Sequence, residues 1–173
     1  MAHMHSVWDT DHAFDISPVT RALVNQANTK VSLIQFDHNS KRFTFRIPQF
    51  VEGHDMTKCN VIQVHYINID NQTKEQNKGI YGVDDAYLEN EDEVGGGTLT
   101  FSWLISQNAT KFVGPLHFLI RFVCMADDGT VEYVWNTGIY SAISVSTGMD
   151  NGDIIDDYPD IVEKWKTEIR KAV

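Results

Sequence analysis

A repeated alternation of apolar and polar residues limits the fold of this chain more than any other feature. Between residues 42 and 47, every second residue is apolar, namely Phe43, Phe45 and Ile47. In the segment 98–105 the apolar positions are again every second one, namely Leu99, Phe101, Trp103 and Ile105. Because successive side chains of a strand point to opposite faces, each segment predicts a half-buried β-strand.

Five more segments have the composition of strands, at residues 31–36, 60–69, 116–125, 131–136 and 139–146. Residues 37–40 and 127–130 predict hairpin turns, the second through the Asp-Gly pair that tight turns favour. The longest irregular stretch, residues 70–97, predicts an acidic loop with one short strand at residues 79–87. Together these strands and turns predict an all-β fold, an antiparallel β-sandwich domain spanning residues 31–149.

Residues 1–30 are weakly patterned and predict an N-terminal arm that lies outside the core. Within this arm, Ser17 followed by Pro18 favours a short helix. Ser17 would be its N-cap, and Pro18 its first residue, where a missing N–H group costs nothing.

The apolar spacing changes to a helical one in the last segment, residues 150–173. Steps of three and four residues separate Ile155, Tyr158, Val162, Trp165, Ile169 and Ala172. Two interpretations fit this heptad pattern equally: self-association as the start of a coiled-coil stalk, or packing of an amphipathic helix back onto the sandwich. Since no helix-terminating residue precedes Val173, we expect the helix to continue in a longer protein.

The charge of the chain argues against two classes of partner. The sequence has 14 Lys and Arg against 24 Asp and Glu, a net charge of −10. We therefore expect no binding to nucleic acid, whose phosphates attract clustered Lys and Arg, and no attraction to anionic lipid. No apolar run approaches the roughly 18 residues that span a bilayer, so we also expect no membrane insertion.

The chemistry-bearing residues do not form a known catalytic motif. Cys59 and Cys124 are too few for a disulfide framework and predict buried or half-buried thiols made in a reducing cytosol. Cys59 and a histidine would be a formal nucleophile–base pair, but seven histidines leave the choice open. The chain has no phosphate-binding glycine loop and no Gly-x-Ser-x-Gly elbow. We expect a protein that is not an enzyme and that holds no cofactor and no metal ion.

Pro48 and the run Gly53-His54-Asp55 predict a structured turn. A catalytic His–Asp pair is a poor interpretation, because adjacent side chains of an extended chain point in opposite directions. Instead, Gly53 is predicted to adopt a φ angle that favours glycine, and Asp55 to cap nearby backbone N–H groups.

Three aromatic residues allow a second interpretation of the surface. Tyr133, Trp135 and Tyr140 could form a platform for sugar rings, since aromatic faces bind sugars in β-sandwich lectins. Residues of this kind are more often part of the core, so the pattern favours core packing over glycan contact.

One resemblance to a known family extends over nearly the whole chain, from about Ile16 to Trp165. The segments that carry it are Leu33–Phe45, Pro48 with Glu52–Met56, Val64–Asp70, Ser102–Thr110 and Trp135–Asn136. They resemble an N-terminal domain of tail and baseplate proteins, tail-fibre-like, from phages and prophages of gut Firmicutes. The chain departs from the family at Phe50-Val51 after Pro48-Gln49, where two bulky aromatics commonly follow Pro-Arg. A surface role of those aromatics is therefore not carried over.

The resemblance implies a non-enzymatic structural module of a phage particle. Such a β-sandwich would anchor a fibre or receptor-binding region to the virion, often as a trimer, and residues 154–173 would begin its stalk. The implied partners are copies of the chain itself and other baseplate or tail proteins, and the implied location is the virion, after synthesis in the bacterial cytoplasm. The alternative function is a carbohydrate-binding module that recognises host-surface glycans.

Overall fold

A computed structural model of the chain describes residues 12–26 and 31–148. Thirteen strands occur there: β1 (Ala13–Ile16), β2 (Leu23–Asn25), β3 (Ser32–Ile34), β4 (Arg42–Pro48), β5 (Phe50–Val51), β6 (His54–Asp55), β7 (Val61–Ile69), β8 (Gln76–Gly82), β9 (Tyr87–Glu89), β10 (Thr98–Leu104), β11 (Gly114–Met125), β12 (Val131–Asn136) and β13 (Tyr140–Ser146). A short 3₁₀ helix, η1 (Met56–Lys58), lies between β6 and β7. The all-β class predicted from the alternation is confirmed for these residues.

The strands form two main sheets. Sheet I has the order β2-β1-β4-β10-β9, and sheet II has the order β3-β13-β11-β7-β8, with β12 also paired to β11. Most pairs are antiparallel, but β1 runs parallel to β4, and β3 runs parallel to β13. The predicted antiparallel arrangement thus holds for most strand pairs, but the sheets are mixed, because the short strands β1 and β3 join them in the parallel sense.

Aromatic side chains from the two sheets meet in one core. Phe45 of sheet I lies 5.7 Å from Phe118 of sheet II, between ring centroids, and Phe101 lies 5.6 Å from Phe122. Trp103 packs edge-on against Phe118 at 5.2 Å. The inward positions predicted from the alternation of β4 and β10 are confirmed, since all are at most 4% exposed. Burial of these rings is the main stabilising contribution of the fold.

The predicted N-terminal arm is corrected by the structure. Ala13, Phe14, Ile16 and Leu23 are buried, and they belong to β1 and β2 of sheet I. Ser17 does accept hydrogen bonds from the N–H groups of residues 19 and 20, but it caps a turn between two strands and not a helix. The buried core therefore begins before residue 31, the predicted start of the sandwich domain.

One of the two predicted hairpin turns is confirmed. Residues 127–130 connect the antiparallel strands β11 and β12, and Gly129 has a φ of +86°. Residues 37–40 instead connect β3 of sheet II to β4 of sheet I. Their turn-forming composition is real, but the chain uses it to cross between the sheets.

The acidic stretch 70–97 contains more structure than the sequence predicted. It supplies two strands, β8 and β9, each at an edge of a different sheet. Between them, Asp85 accepts hydrogen bonds from the backbone N–H and the hydroxyl of Ser102, and its carboxylate lies 3.5 Å from the Arg42 guanidinium. The outer face of sheet I is closed at this point, where Thr100 and Ser102 are fully buried.

The predicted C-terminal helix, with its seam of Ile155, Tyr158, Val162, Trp165, Ile169 and Ala172, lies outside the described residues. Its two interpretations stay predictions.

Candidate functional site

An open groove of about 650 Å³ lies on the outer face of sheet II. We call it the outer groove and define it by its lining residues His65, Tyr66, Ile67, Lys78, Gly79, Ile80, His117, Phe118, Leu119 and Ile139. Two of its apolar side chains are largely exposed, Ile80 to 60% and Ile139 to 68%.

Strand register explains why these side chains share one face. Across β8, β7 and β11, one row consists of Ile80, His65 and Leu119. The adjacent row consists of Lys78, Ile67 and His117. Directly paired residues of adjacent strands project to the same side of a sheet, and the two rows are separated by one alternation of the chain. The groove therefore forms because alternate side chains of three paired strands lie on the same face of the sheet, and not because of a local sequence motif.

Gly79 contributes its backbone to the outer groove, but a side chain at this position would lie on the inner side of sheet II, beside its paired residue Tyr66. A Cβ atom at this position would lie 2.3 Å from the ring of Tyr66, on the neighbouring strand β7. The Tyr66 hydroxyl in turn accepts a hydrogen bond of 2.7 Å from the side-chain amide of Asn108. The glycine is therefore needed for the close approach of this ring.

The charged or titratable nitrogen groups of the outer groove are the side chains of two histidines, His65 and His117, and of one lysine, Lys78. Burial, and then the positive charge of Arg121, lowers the pKa of His65 below its ordinary value, so its ring is neutral near pH 7. The Nδ1 atom of His117 is buried without a hydrogen-bond partner among the described atoms. Within the described chain, the lining contains no carboxylate, thiol or aliphatic hydroxyl group.

A second cluster lies where β6, η1, β11 and β12 meet. Cys59, directly after η1, forms a disulfide with Cys124 near the end of β11, and the His54 Nε2 atom lies 3.3 Å from the Cys124 sulfur. We call His54, Cys59 and Cys124 the thiol cluster; their three donor atoms lie within 4.8 Å of one another. The predicted burial of both cysteines is confirmed, but the prediction of free thiols is wrong, because the β7–β11 register brings the two sulfurs together.

The predicted turn around residues 48–55 holds the thiol cluster in place. Pro48 ends β4, and Gly53 lies between the paired strands β5 and β6. Its φ of +78° confirms the predicted glycine-type conformation. Asp55 accepts a hydrogen bond of 3.0 Å from the Thr57 N–H, which confirms its predicted capping role and begins η1. Hydrogen bonds to Thr57 and Gln49 and the charge of Lys58 outweigh partial burial and lower the Asp55 pKa. His54 and Asp55 have different partners, so no catalytic pair forms.

The three residues predicted for glycan contact lie in three different surroundings. Trp135 is 1% exposed and packs against Phe122 at 5.8 Å. Tyr140 packs edge-on against Phe14 at 5.1 Å, and Tyr133 stacks on the His54 ring at 3.9 Å. Burial raises the pKa values of both tyrosines. These rings do not line up as one exposed ledge.

The alternation in the sequence predicts which face of a strand most of these residues occupy. It contains no signal that the outer groove or the thiol cluster would form. The outer groove depends on which strands are neighbours, and the thiol cluster depends on a contact between residues far apart in sequence. The predicted oligomerisation residues Ile155–Ala172 lie outside the described part of the chain.

No helix in residues 12–26 and 31–148 has both the length and the apolar composition needed to cross a membrane. The chain matched no model of a known protein family, and it matched no curated protein.

Proposed function

We propose that this chain is a non-enzymatic structural module of a phage particle. It anchors a tail-fibre or receptor-binding region to the baseplate, and it docks on a neighbouring tail or baseplate protein through the outer groove. The observation that carries this proposal is the apolar strip on sheet II, where Ile80 and Ile139 are exposed beside Ile67 and Leu119. Apolar patches of this kind, rimmed by polar groups, mark protein contact surfaces.

The chemistry of the groove favours a protein partner over a reacting substrate. Its lining offers apolar side chains, a neutral His65 and the cation Lys78, and it lacks the nucleophile and paired carboxylates that hydrolytic mechanisms use. Lys78 at one side of the strip adds a charge that suits an acidic rim on the partner.

Oligomerisation through the C-terminal segment completes the proposal. The apolar positions from Ile155 to Ala172 follow a heptad, and β-branched residues occupy all three a positions. Three copies joined along this seam would present three outer grooves to the particle.

The alternative function, recognition of host-surface glycans, draws little support from the aromatic residues. Trp135 is buried, and the rings of Tyr133 and Tyr140 are each packed against another aromatic ring. A glycan array probed with the purified chain decides this alternative directly.

The first test measures the mass of the chain in solution by light scattering. We expect a species of three times the 19.7 kDa chain mass. The double variant Val162→Asp/Ile169→Asp should be monomeric, while Thr167→Asp, on the opposite side of the heptad, should keep the mass of the wild type. A wild-type chain that is strictly monomeric, and stays so when any following residues of the gene are restored, contradicts the stalk.

The second test concerns the particle. An antibody against the chain should detect it in gradient-purified particles of the phage or prophage that encodes it. Its absence from intact, infective particles would overturn the structural role, whatever its oligomeric state.

A further inference from the structure

The thiol cluster contains the ligand set of a zinc site. Its donors are two sulfurs and one imidazole nitrogen, His54 Nε2, which lies 3.3 Å from the Cys124 sulfur. We propose that, when the Cys59–Cys124 disulfide is reduced, His54, Cys59 and Cys124 bind one Zn²⁺ ion, leaving a fourth position for water or another ligand. This proposal is independent of the outer groove and of the proposed function.

The spacing of the donor atoms fits a single ion. Bond lengths of about 2.3 Å for Zn–S and about 2.0 Å for Zn–N place tetrahedral donors about 3.5–3.8 Å apart. The three donors of the thiol cluster already lie within 4.8 Å of one another. Once the sulfur–sulfur bond is broken, van der Waals repulsion pushes the two sulfur atoms apart. Their separation then approaches the spacing that a tetrahedral ion requires.

Burial and charge favour a cation of this type. Cys59 is 7% exposed and Cys124 is 4% exposed. Two thiolates buried at these positions are costly without a compensating charge, whereas a divalent ion with two thiolates is neutral overall. Thiolate and imidazole ligands select zinc over magnesium or calcium, which require oxygen donors.

The surroundings hold the ligands before a metal arrives. The His54 ring stacks on Tyr133 with an angle of 19° between the planes, which fixes the direction of its nitrogen. The Cys59 N–H donates to the Met56 carbonyl at 3.1 Å, which holds the end of η1. Asn60 makes two hydrogen bonds with the backbone of Met125, so the start of β7 stays against the end of β11. Such supporting contacts strengthen metal sites by orienting the ligands.

The chemistry requires a reductant, and a dithiol supplies it. The dithiol transfers two electrons and two protons to the disulfide; the sulfur–sulfur bond breaks, two thiols form, and the dithiol becomes a cyclic disulfide. Zn²⁺ then displaces one proton from each cysteine thiol and coordinates the Nε2 atom of His54. The segment between η1 and β7 is thus joined to the end of β11 by a covalent bond under oxidising conditions and by a metal ion under reducing ones.

Cobalt titration tests this proposal with an optical signal. The chain is reduced with a phosphine, which does not compete for the metal as a dithiol would, and is titrated with Co²⁺ under nitrogen. We expect one equivalent to produce sulfur-to-cobalt charge-transfer bands and the intense visible bands of tetrahedral Co²⁺, and Zn²⁺ to abolish both. The oxidised chain, with its disulfide intact, should give neither signal.

Variants identify the ligands. His54→Gln should weaken Zn²⁺ binding by at least about 100-fold, since it removes a direct ligand and not only a supporting contact. His38→Gln is the matched control, because His38 is an exposed histidine that bonds to the Gln107 N–H outside the cluster, and it should bind like the wild type. Cys59→Ala should lose the charge-transfer bands; circular dichroism checks that the variant is folded.

Three outcomes overturn the proposal. One is a reduced, folded chain that gives no sulfur-to-cobalt bands. Another is equal binding by the oxidised and reduced chains, which places the metal elsewhere, for example at the histidines near the N-terminus of the sequence. The third is wild-type affinity in His54→Gln, which removes the imidazole from the ligand set.

Discussion

The outer faces of the two sheets differ, although both sheets pack against one core. On sheet I, Thr100 and Ser102 are fully buried, and Asp85 binds Ser102 and lies beside Arg42 at the edge of β10. On sheet II, Ile80 of β8 is largely exposed, and so is Ile139, which lies just before β13. Polar residues are thus covered on one sheet while apolar residues face solvent on the other. This difference shows that the exposure of an outward side chain depends on its surroundings and not on its hydropathy alone. It also shows that sheet II carries two exposed apolar side chains together in one groove.

Removing the Asp85 carboxylate from the closed face of sheet I should cause the largest loss of stability. The Asp85 side chain is only 12% exposed, and its carboxylate serves both the Ser102 N–H and the Arg42 guanidinium. Asp85→Ala removes this shared carboxylate. We expect the free energy of unfolding to fall by about 3 kcal/mol, because one partner of a buried charged pair is removed. Urea denaturation followed by tryptophan fluorescence measures the change.

Asp84→Ala is the matched control for this substitution, since Asp84 is the exposed neighbour in the same acidic segment. Its free energy of unfolding should stay within about 0.5 kcal/mol of the wild type. Equal losses in the two variants would show that the closed face does not depend on Asp85.

The inner side of sheet II, where Gly79 faces the Tyr66 ring, should be the next most sensitive point. Gly79→Ala places a methyl group 2.3 Å from the Tyr66 ring, so we expect a loss of about 1–3 kcal/mol from overpacking. Gly82→Ala, on the same strand, meets no atom within 4 Å and should be neutral or slightly stabilising. Two equal urea midpoints would mean that the Tyr66 ring moves aside without cost.

Substitution at the rim of the outer groove should leave stability nearly unchanged. Ile139→Lys removes an exposed apolar group, so the free energy of unfolding should change by less than about 0.5 kcal/mol. Its effect should appear in association with the particle, measured as the amount of chain recovered in purified particles. Val131→Lys, at an exposed residue outside the groove, should be recovered like the wild type. Full recovery of Ile139→Lys would remove the outer groove from the docking surface.

The smallest expected effect is the change in stability that acidification causes through His65 of sheet II. The pKa of His65 is lowered in the folded chain, so the unfolded chain takes up a proton first as the pH falls. Stability should therefore decrease slightly between about pH 7.5 and about pH 5.5, through the unfolded value near 6.5. His65→Gln should show a weaker decrease than the wild type or His38→Gln, when urea midpoints are compared across this range. Identical slopes in all three would leave His65 without a part in the pH dependence.

The sequence was most informative where a strand is long and half-buried. The alternations of β4 and β10 predicted the inward residues correctly, because a strand of seven residues repeats its pattern several times. β1 and β2 have only four and three residues, too few for a period to appear, and so the N-terminal segment was predicted as an arm.

Contacts between distant residues were beyond the sequence pattern. Nothing near Cys59 indicates Cys124, since their meeting depends on the register between β7 and β11. The outer groove has the same origin, because Lys78, Ile67 and His117 become neighbours only through the pairing of three strands. The described residues therefore supply the geometry of both sites, while the seam from Ile155 to Ala172 still rests on its heptad spacing.

The pairing of β3 with β13 has a consequence for synthesis of the protein. β3 lies at the edge of sheet II, where Ser32 is paired with Ser144 and Leu33 with Val145. During translation β3 leaves the ribosome long before β13 exists, and long-range pairs of this kind close late. A ribosome stalled before residue 140 would hold a nascent chain with β3 unpaired and the Gly114–Phe118 edge of β11 open. Sheet II can therefore be completed only when almost the whole sandwich has been translated.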